Sequence, residues 1–184
     1  MKPLFVVGYM GCGKTTFGEA LAKVTGKSFI DLDQYIEKYK EKTVKQIFQE
    51  NGEDAFRKIE SDLLRIASEE ADIIACGGGT PCFYGNIEYI NQTGISVWLD
   101  ASIEVLLARL KVGNEKRPLL RGLSENEIAN KIESQLSERR KFYSKAKIHW
   151  NGDRLEDEEM IMENILSFIS KYPELGFAIT NPLV

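Results

Sequence analysis

The chain has 184 residues, enough for one sizeable hydrophobic core and too few for two independent ones. Its 43% hydrophobic and 28% charged residues indicate a folded domain and not a disordered chain. The formal net charge of −4 argues against nucleic acid as a partner, so an anionic ligand must be captured by a local basic site. With one histidine, the chain has little from which to build a Cys/His zinc site or a Ser-His-Asp triad.

Other features bear on the compartment in which the protein works. No apolar run approaches the roughly 20 residues that cross a bilayer, so we expect no membrane partner. Glycines and Lys14 interrupt the apolar N-terminus, and no small-residue cleavage site follows, which argues against a secretory leader. The three cysteines form no disulfide-scaffold pattern. We therefore expect a cytoplasmic protein, and we take a monomer as its expected oligomeric state.

The first motif in the chain is a phosphate-binding loop. Residues 8–16 read Gly-Tyr-Met-Gly-Cys-Gly-Lys-Thr-Thr and contain the pattern G-x-x-x-x-G-K-[ST]. An apolar strand is predicted before it over residues 4–7, and apolar residues at helical spacing follow it, which favours this motif over an ordinary glycine-rich turn. Lys14 would reach the β and γ phosphates, and the Thr15 hydroxyl would bind Mg²⁺. The predicted nucleotide-binding residues are Gly11, Cys12, Gly13, Lys14, Thr15 and Thr16.

Strands and helices alternate along the chain. The predicted strands cover residues 4–7, 29–33, 73–76, 95–100 and 148–150. The predicted helices cover about residues 14–24, 34–40, 43–51, 53–66, 84–91, 102–108, 124–136 and 160–169. This alternation predicts a three-layer α/β/α sandwich with a central parallel five-stranded sheet, forming one domain over residues 1–184. Residues 173–184 are predicted to form a loosely held tail.

Two aspartates end the second predicted strand. Ligands of parallel sheets bind beyond the carboxyl ends of the strands, so Asp31 and Asp33 should face the same crevice as the phosphate loop. Phosphoryl transfer needs Mg²⁺ and an acceptor held in line, and these carboxylates could supply a metal contact and a group that orients an acceptor hydroxyl. The alternative is that they cap the helix predicted from residue 34, with Asp33 at or near the cap.

Two later segments complete the predicted crevice. Gly77, Gly78 and Gly79 follow the third strand and offer backbone donors to a close ligand, the alternative being a flexible connector. Residues 111–123 are polar, basic and interrupted by glycine and proline, so we predict a mobile lid that carries cations over the phosphates. The alternative for this segment is a solvated basic loop. The cations of the predicted lid are Lys111, Lys116, Arg117 and Arg121.

The ordered set of motifs resembles the shikimate kinases, which are small P-loop kinases with a nucleoside-monophosphate-kinase-like fold. The resemblance covers about residues 4–170, and its order makes it specific, because unrelated P-loop kinases share only the first motif. The matching segments are Gly-Tyr-Met-Gly-Cys-Gly-Lys-Thr-Thr at 8–16, Phe-Ile-Asp-Leu-Asp at 29–33, Ile47-Phe48 through Gly52, Phe56-Arg57 with Glu60, Gly-Gly-Gly at 77–79, Arg-Pro-Leu-Leu at 117–120, and Arg139 four residues before Tyr143.

The resemblance implies an activity and a set of site residues. Members transfer the γ-phosphoryl group of ATP to the 3-hydroxyl of shikimate, on the route to aromatic amino acids. By this analogy Asp33 contacts the acceptor hydroxyls and is the candidate base, and Asp31 joins Thr15 at Mg²⁺. The shikimate carboxylate would be held by Arg57 and Arg139, aided by Gly77, Gly78 and Gly79, with a substrate-binding segment over about 33–61. Lys14 and Arg117 would complete the catalytic set.

The sequence leaves alternatives for the roles of Arg57 and Arg139 and for the adenine contact. Arg57 is at helical spacing from Glu53 and Glu60 and could simply pair with them. Arg139 could likewise pair with Glu133 or Glu138. Many shikimate kinases carry an adenine-stacking arginine seven residues before the lid Arg-Pro, where this chain has Leu110, so the adenine contact is either in doubt or made by Arg109.

Two other functions are alternatives to a shikimate kinase activity. Another small-molecule P-loop kinase, acting on gluconate or a nucleoside monophosphate, would lack the combination of Asp31, Asp33, Arg57 and the glycine triplet. A GTP-dependent switch would need a guanine-reading Asn-Lys-x-Asp motif, and the sequence has none.

Overall fold

A computed structural model of the chain describes residues 2–112 and 124–180. The strands of this part of the chain are β1 (Leu4–Val7), β2 (Phe29–Asp31), β3 (Ile73–Ala75), β4 (Ile95–Asp100) and β5 (Ile148–Asn151). The helices are α1 (Lys14–Thr25), α2 (Leu32–Lys40), α3 (Val44–Glu70), α4 (Asn86–Thr93), α5 (Ile103–Val112), α6 (Glu125–Tyr143) and α7 (Glu158–Lys171). Short 3₁₀ helices cover Thr80–Cys82 and Pro173–Leu175.

The five strands form one parallel sheet in the order β2-β3-β1-β4-β5. The first strand is central, with Phe5 opposite Ile74 on one side and Ser96 on the other. Because all five strands run the same way, their carboxyl ends meet at one edge of the sheet. The predicted parallel sheet and its single crevice edge are therefore confirmed.

Helices cover both faces of the sheet, as the predicted three layers require. Successive strand residues point to opposite faces, so Leu4 and Val6 enter one core while Phe5 and Val7 enter the other. The first core is completed by α1, α5, α6 and α7, and the second by α2, α3 and α4. Burying one such large apolar side chain contributes roughly 1.5–3 kcal/mol. The first core is the cluster that contains Leu4 and Val6, and the second core is the cluster that contains Phe5 and Val7.

The end of the second strand differs from the prediction. The strand stops at Asp31, which is the N-cap of α2 and accepts a hydrogen bond from the Gln34 backbone N–H at 3.2 Å. Asp33, predicted at or near this cap, lies two residues after it in the first turn of α2, and Asp31 is the aspartate that caps the helix. The physical reason is burial: starting the helix at Leu32 places Leu32 and Ile36 one turn apart, and both are fully buried in the second core.

The helix α3 is interrupted where the sequence predicts a break. Thr43 caps it through a reciprocal pair of bonds with Gln46. Gly52 has φ 80° and ψ 173°, a conformation outside the helical range that L side chains rarely adopt. The predicted helices on either side of Asn51-Gly52 are thus present and meet at this kink.

The C-terminal segment is packed more closely than predicted. Phe177 is buried in the first core, and the Thr180 N–H donates to Val24 O at 3.1 Å. The predicted loosely held tail is therefore wrong for residues 173–180, because an aromatic side chain at Phe177 gives the segment apolar area to bury. The prediction for residues 181–184 lies outside the described residues.

The described helices and the cysteines add two facts about the fold. Across residues 2–112 and 124–180, no helix combines the length and apolar character needed to span a membrane. Cys12, Cys76 and Cys82 are free thiols.

Candidate active site

The phosphate loop joins the end of β1 to the start of α1. Gly13 is the N-cap of α1 with φ 97°, a backbone conformation that favours glycine. Gly8 lies so close to β4 that an added Cβ would be 2.4 Å from Leu99 O. The loop therefore curls tightly and directs the unpaired N–H groups of the helix N-terminus into the crevice, the arrangement that binds phosphate.

The other predicted nucleotide residues lie in or directly after this loop. Gly11 is in the loop, and Thr15 and Thr16 are in the first turn of α1. Cys12 is buried in the first core, and this burial raises the pKa of its thiol, so the residue presents only its backbone to a nucleotide. The Lys14 ammonium donates to Tyr9 O at 2.8 Å, which holds the cation against the phosphate loop.

The predicted metal-binding pair is brought together. The Thr15 hydroxyl donates to Asp31 Oδ2 at 2.6 Å, and Asp31 Oδ1 accepts from the Gln34 N–H. A hydroxyl and a carboxylate are the oxygen ligands that Mg²⁺ prefers, usually completed by waters and substrate phosphates. Within the described ranges no group of three or more His, Cys, Asp or Glu side chains could hold a metal, so this pair suits a cation bound partly by its substrate.

Asp33 has an unusual electrostatic environment. The residue is exposed on the crevice side, yet the protein surrounds its carboxyl group closely enough that lost hydration is the largest cause of a raised pKa. The charges of Asp31 and Glu60 raise it further, Lys14 and Arg57 oppose them, and the pKa rises to about 6. A carboxylate with such a pKa is still ionised at neutral pH and accepts protons more readily than an ordinary aspartate.

Arg57 is buried on α3 and pairs with both predicted glutamates. Its Nη1 donates to Glu60 Oε2 at 2.9 Å, while Nε and Nη2 donate to Glu53 Oε1 at 3.3 and 3.2 Å. The Glu60 side chain is fully buried, whereas the Glu53 side chain is 60% exposed. The guanidinium also lies over the Phe83 ring, 4.6 Å from its centre. The intrahelical pairing is thus present, and one of its two partners is free to exchange with solvent.

Arg139 projects from α6 toward the phosphate loop. Its guanidinium carbon is 5.7 Å from the centre of the Tyr9 ring. Among residues 2–112 and 124–180 it forms no ion pair, so the alternative pairing with Glu133 or Glu138 is not observed. One turn later Tyr143 donates its hydroxyl to Gly78 O at 2.6 Å, and burial raises the pKa of this phenol.

The glycine triplet lies between these two arginines. A Cβ added at Gly79 would be 2.6 Å from Arg57 Nη2, and one at Gly78 would be 3.3 Å from Met10 N and 3.7 Å from Arg139 Nη1. A Cβ at Gly77 would be 2.9 Å from Asp33 Oδ1. The triplet is therefore a close-packed turn and not a flexible connector, and it brings the two guanidinium groups to one pocket beside Asp33.

The structure places Leu110 and Arg109 in different surroundings. Leu110 is fully buried in the first core, so it cannot contact a nucleotide. Arg109 Nη1 donates to Cys12 O and Gly152 O at 3.3 and 2.9 Å. Its Nη2 donates to Asp153 O and Glu156 Oε1 at 2.9 and 2.6 Å. Arg109 thus ties the loop after β5 to the phosphate loop.

Most of the predicted lid cations lie outside the described residues, and one buried residue beside the site was not predicted. The predicted lid residues Lys116, Arg117 and Arg121 lie outside the described residues, and Lys111 is in the last turn of α5. Thr80 is the site neighbour that sequence reasoning missed, although its position directly after the glycine triplet was a usable signal. Its hydroxyl donates to Glu60 Oε1 at 2.6 Å.

The fold and this site together define a class of protein. A phosphate loop after the central strand, with two arginines beside a glycine turn across the same crevice, is an arrangement typical of a small-molecule P-loop kinase. A family model described as shikimate kinase matches residues 10–170. The chain belongs to the shikimate kinase family, which confirms the resemblance read from the sequence.

Individual relatives agree along nearly the whole chain. The shikimate kinase of Phocaeicola vulgatus is 45% identical over 172 residues, covering 93% of this chain and 98% of the relative. A crystal structure of shikimate kinase from Bacteroides thetaiotaomicron has a TM-score of 0.90 at 39% identity, covering 94% of this chain and 98% of the other. Shikimate kinase from Acinetobacter baumannii in complex with shikimate has a TM-score of 0.81 at 28% identity, covering 95% of this chain and 94% of the other.

Proposed function

We propose that this chain transfers the γ-phosphoryl group of ATP to the 3-hydroxyl of shikimate, giving shikimate 3-phosphate and ADP. The observation that carries the proposal is the pocket formed by Arg57, Arg139 and the glycine triplet across the crevice from the phosphate loop. Two guanidinium groups are the natural partners of a substrate carboxylate. Asp33 is close enough to both Lys14 and Arg57 for their charges to affect its pKa, so it lies where the acceptor and the phosphates would meet.

On the nucleotide side, the phosphates would bind to the N–H groups at the start of α1, with Lys14 leaving Tyr9 O to reach the β and γ phosphates. Thr15 and Asp31 would hold Mg²⁺, whose charge would offset that of the phosphate oxygens. Arg109 has both terminal nitrogens occupied by four acceptors. We therefore assign it to shaping the nucleotide site, with at most its planar face turned to the adenine.

On the acceptor side, the shikimate carboxylate would take the edge of Arg57 that Glu53 now occupies. Glu53 presents one carboxylate oxygen to Nε and Nη2, and it is the exposed partner of the arginine. A substrate carboxylate can make the same two parallel bonds. Arg139 would bind the carboxylate from the other helix layer, and the substrate-binding segment would cover residues 33–61.

Asp33 would act on the reacting hydroxyl. Its carboxylate would accept a hydrogen bond from the 3-hydroxyl of shikimate, orient it toward the γ phosphorus and take its proton as the new bond forms. The raised pKa supports this role, because the proton acceptor is better matched to an alcohol than an ordinary aspartate would be. Arg117 would approach the transferring group from a lid over residues 111–123.

The remaining expectations stay proposals of the same kind. We propose a cytoplasmic monomer with neither nucleic acid nor a membrane as partner. In the described part of the chain the large exposed apolar residues Tyr39, Ile66, Tyr84 and Ile179 lie on four different segments, which supports a surface without a large association face. Light scattering during size-exclusion chromatography measures the mass directly.

The decisive experiment is ADP release with shikimate, gluconate and nucleoside monophosphates assayed in parallel. We expect turnover with shikimate and background rates with the other acceptors. A nucleoside monophosphate has no carboxylate for the arginine pocket, and the open chain of gluconate does not hold its carboxylate and hydroxyls in the fixed arrangement of the shikimate ring. Turnover with gluconate or a nucleoside monophosphate in the absence of activity on shikimate would overturn the proposal.

A further inference from the structure

A chain of buried polar groups lies beside Arg57 and next to Gly77. Glu60 and Thr80 are both fully buried. Thr80 Oγ1 donates to Glu60 Oε1 at 2.6 Å, and Arg57 Nη1 donates to Glu60 Oε2 at 2.9 Å. Each oxygen of this buried carboxylate therefore has its own donor, and the two donors fix the plane of the carboxylate.

Thr80 is itself held in place through its backbone. Asn86, fully buried at the start of α4, donates its side-chain N–H to Thr80 O at 2.9 Å. The Ser61 hydroxyl of α3 donates to Asn86 Oδ1 at 2.7 Å. The Thr80 N–H donates to Gly77 O at 3.1 Å, which closes the turn that contains the glycine triplet. Thr80 thus belongs to this turn and also binds Glu60, the buried partner of Arg57.

The position of Arg57 depends on this support. Its guanidinium lies against Gly79, where an added Cβ would be only 2.6 to 2.7 Å away, so a small shift changes the pocket. Glu53 cannot fix the guanidinium, because it is exposed and uses the edge that a ligand would take. Glu60 is the buried partner, and the orientation of Glu60 is shared between Arg57 and Thr80.

We infer that Thr80 is a positioning residue that sets the affinity for the acceptor carboxylate, acting through Glu60 on Arg57. Without the Thr80 hydroxyl, Glu60 Oε1 loses its donor inside the protein, and the carboxylate must rotate toward the remaining donor, Arg57. That rotation draws the guanidinium away from the crevice. The inference rests on the proposed function, since it takes Arg57 as a carboxylate-binding residue.

The test is a graded series at Thr80 measured by steady-state kinetics. Thr80→Val keeps the shape and removes the donor, and we expect it to raise the KM for shikimate about tenfold, the size of effect for one lost hydrogen bond to a charged group. The KM for ATP should change less than about twofold, because the phosphate loop is not touched. Thr80→Ser restores the hydroxyl and should return the KM for shikimate to near the parent value.

A matched control separates positioning from general destabilisation. Thr25 is buried like Thr80, and its hydroxyl donates to Leu21 O at 2.6 Å near the end of α1. Thr25→Val makes the same chemical change far from the arginine pocket, so it should lower the melting temperature without raising the KM for shikimate. Thr80→Cys, whose S–H is a weak donor, keeps the series usable if Thr80→Val does not fold, and its KM should exceed that of Thr80→Ser.

The outcomes distinguish the inference from the function on which it rests. If Arg57→Lys raises the KM for shikimate while the Val and Cys variants of Thr80 leave it unchanged, the inference about Thr80 is overturned and the carboxylate site stands. If Arg57→Lys also has no effect, the carboxylate binds elsewhere and both fail. A rise in the KM for ATP equal to that for shikimate would mean that Thr80 acts on the fold as a whole.

Discussion

Asp33 is the residue whose protonation should control the reaction. Asp33→Asn keeps the size of the side chain but cannot take a proton at neutral pH, so we expect kcat to fall on the order of 10²–10⁴-fold while ATP binding persists. In the parent enzyme, kcat/KM for shikimate should fall below about pH 6, the pKa of the carboxyl group. Steady-state rates from pH 5 to 8 measure both effects. Asp62→Asn, which alters an exposed carboxylate on α3, is the control.

Asp33→Asn should also raise the stability of the protein. Asp33 has a pKa of about 6 in the folded chain against 3.8 ordinarily, so the folded state binds its proton more tightly between these values. Stability therefore falls as the pH rises through this window, and the loss is complete above about pH 6. Asp33→Asn removes the penalty, so its melting temperature should exceed that of the parent at pH 7 and approach it at pH 4. Equal melting temperatures at pH 7 would contradict the assigned environment.

Arg57 and Arg139 should contribute to acceptor affinity through their planar shape. Arg57→Lys and Arg139→Lys each keep the charge but lose the paired donors, so the KM for shikimate should rise roughly tenfold to a hundredfold. The KM for ATP should change little. Arg140→Lys, an exposed neighbour on α6, is the matched control and should behave like the parent. Unchanged shikimate affinity in both pocket variants would place the carboxylate elsewhere.

Lys14 is the cation that we propose to bind the phosphates, and its removal tests the phosphate loop itself. Because phosphoryl transfer depends on positioning and electrostatics, Lys14→Ala should lower kcat on the order of 10²–10³-fold or more. The measurement is single-turnover ADP formation at saturating shikimate. A rate within about tenfold of the parent would contradict the assignment of the loop.

At the scale of elements, Arg109 joins α5, the phosphate loop and the loop after β5. Arg109→Met keeps the length of the side chain and removes the donors to Cys12, Gly152, Asp153 and Glu156. We expect the KM for ATP to rise about tenfold, with the KM for shikimate nearly unchanged. Arg154→Met is the control, since Arg154 lies in the same loop but is exposed and pairs with Glu163. Equal ATP affinity in the two variants would mean that the hydrogen bonds of Arg109 are not needed for nucleotide binding.

The elements themselves could largely be predicted from local chemistry. The capping boxes at Thr43 and Ser124 and the break at Gly52 follow from the residues within one turn of each position. The limits of β2 and α2 could not be predicted this way, because Asp31 and Asp33 are both good caps in isolation. Burial of Leu32 in the second core decides between them, and that burial is not visible in a local window.

At the scale of the whole molecule, the predicted lid over residues 111–123 stays a prediction, because residues 113–123 lie outside the described residues. Arg117→Ala should lower kcat more than it weakens ADP binding, if its contact is made in the reacting state. Limited proteolysis is a second measurement: cleavage within residues 111–122 should slow when nucleotide and shikimate are both present. Equal cleavage with and without ligands would argue against a lid.

The order of the strands in the sheet could not be predicted from the sequence, although their parallel direction could. Alternation of strands and helices predicts a parallel sheet, but it does not specify that β1 lies between β3 and β4. The site residues after β1, β2 and β3 could therefore be assigned to one crevice edge before their neighbours were known. The contact of Thr80 with Glu60 and that of Arg109 with Gly152 could not be predicted, because each joins residues 20 or more positions apart in the chain.

The two arginines of the acceptor pocket are carried by opposite layers of the sandwich. Arg57 comes from α3, which packs in the second core, and Arg139 comes from α6, which packs in the first. A ligand carboxylate that touches both would bridge side chains of the two layers at the carboxyl edge of the sheet, so its affinity would depend on how the layers sit relative to one another. An inhibitor that binds one arginine alone would tolerate drift in the packing of either core, whereas one that bridges both would lose affinity when either layer shifts.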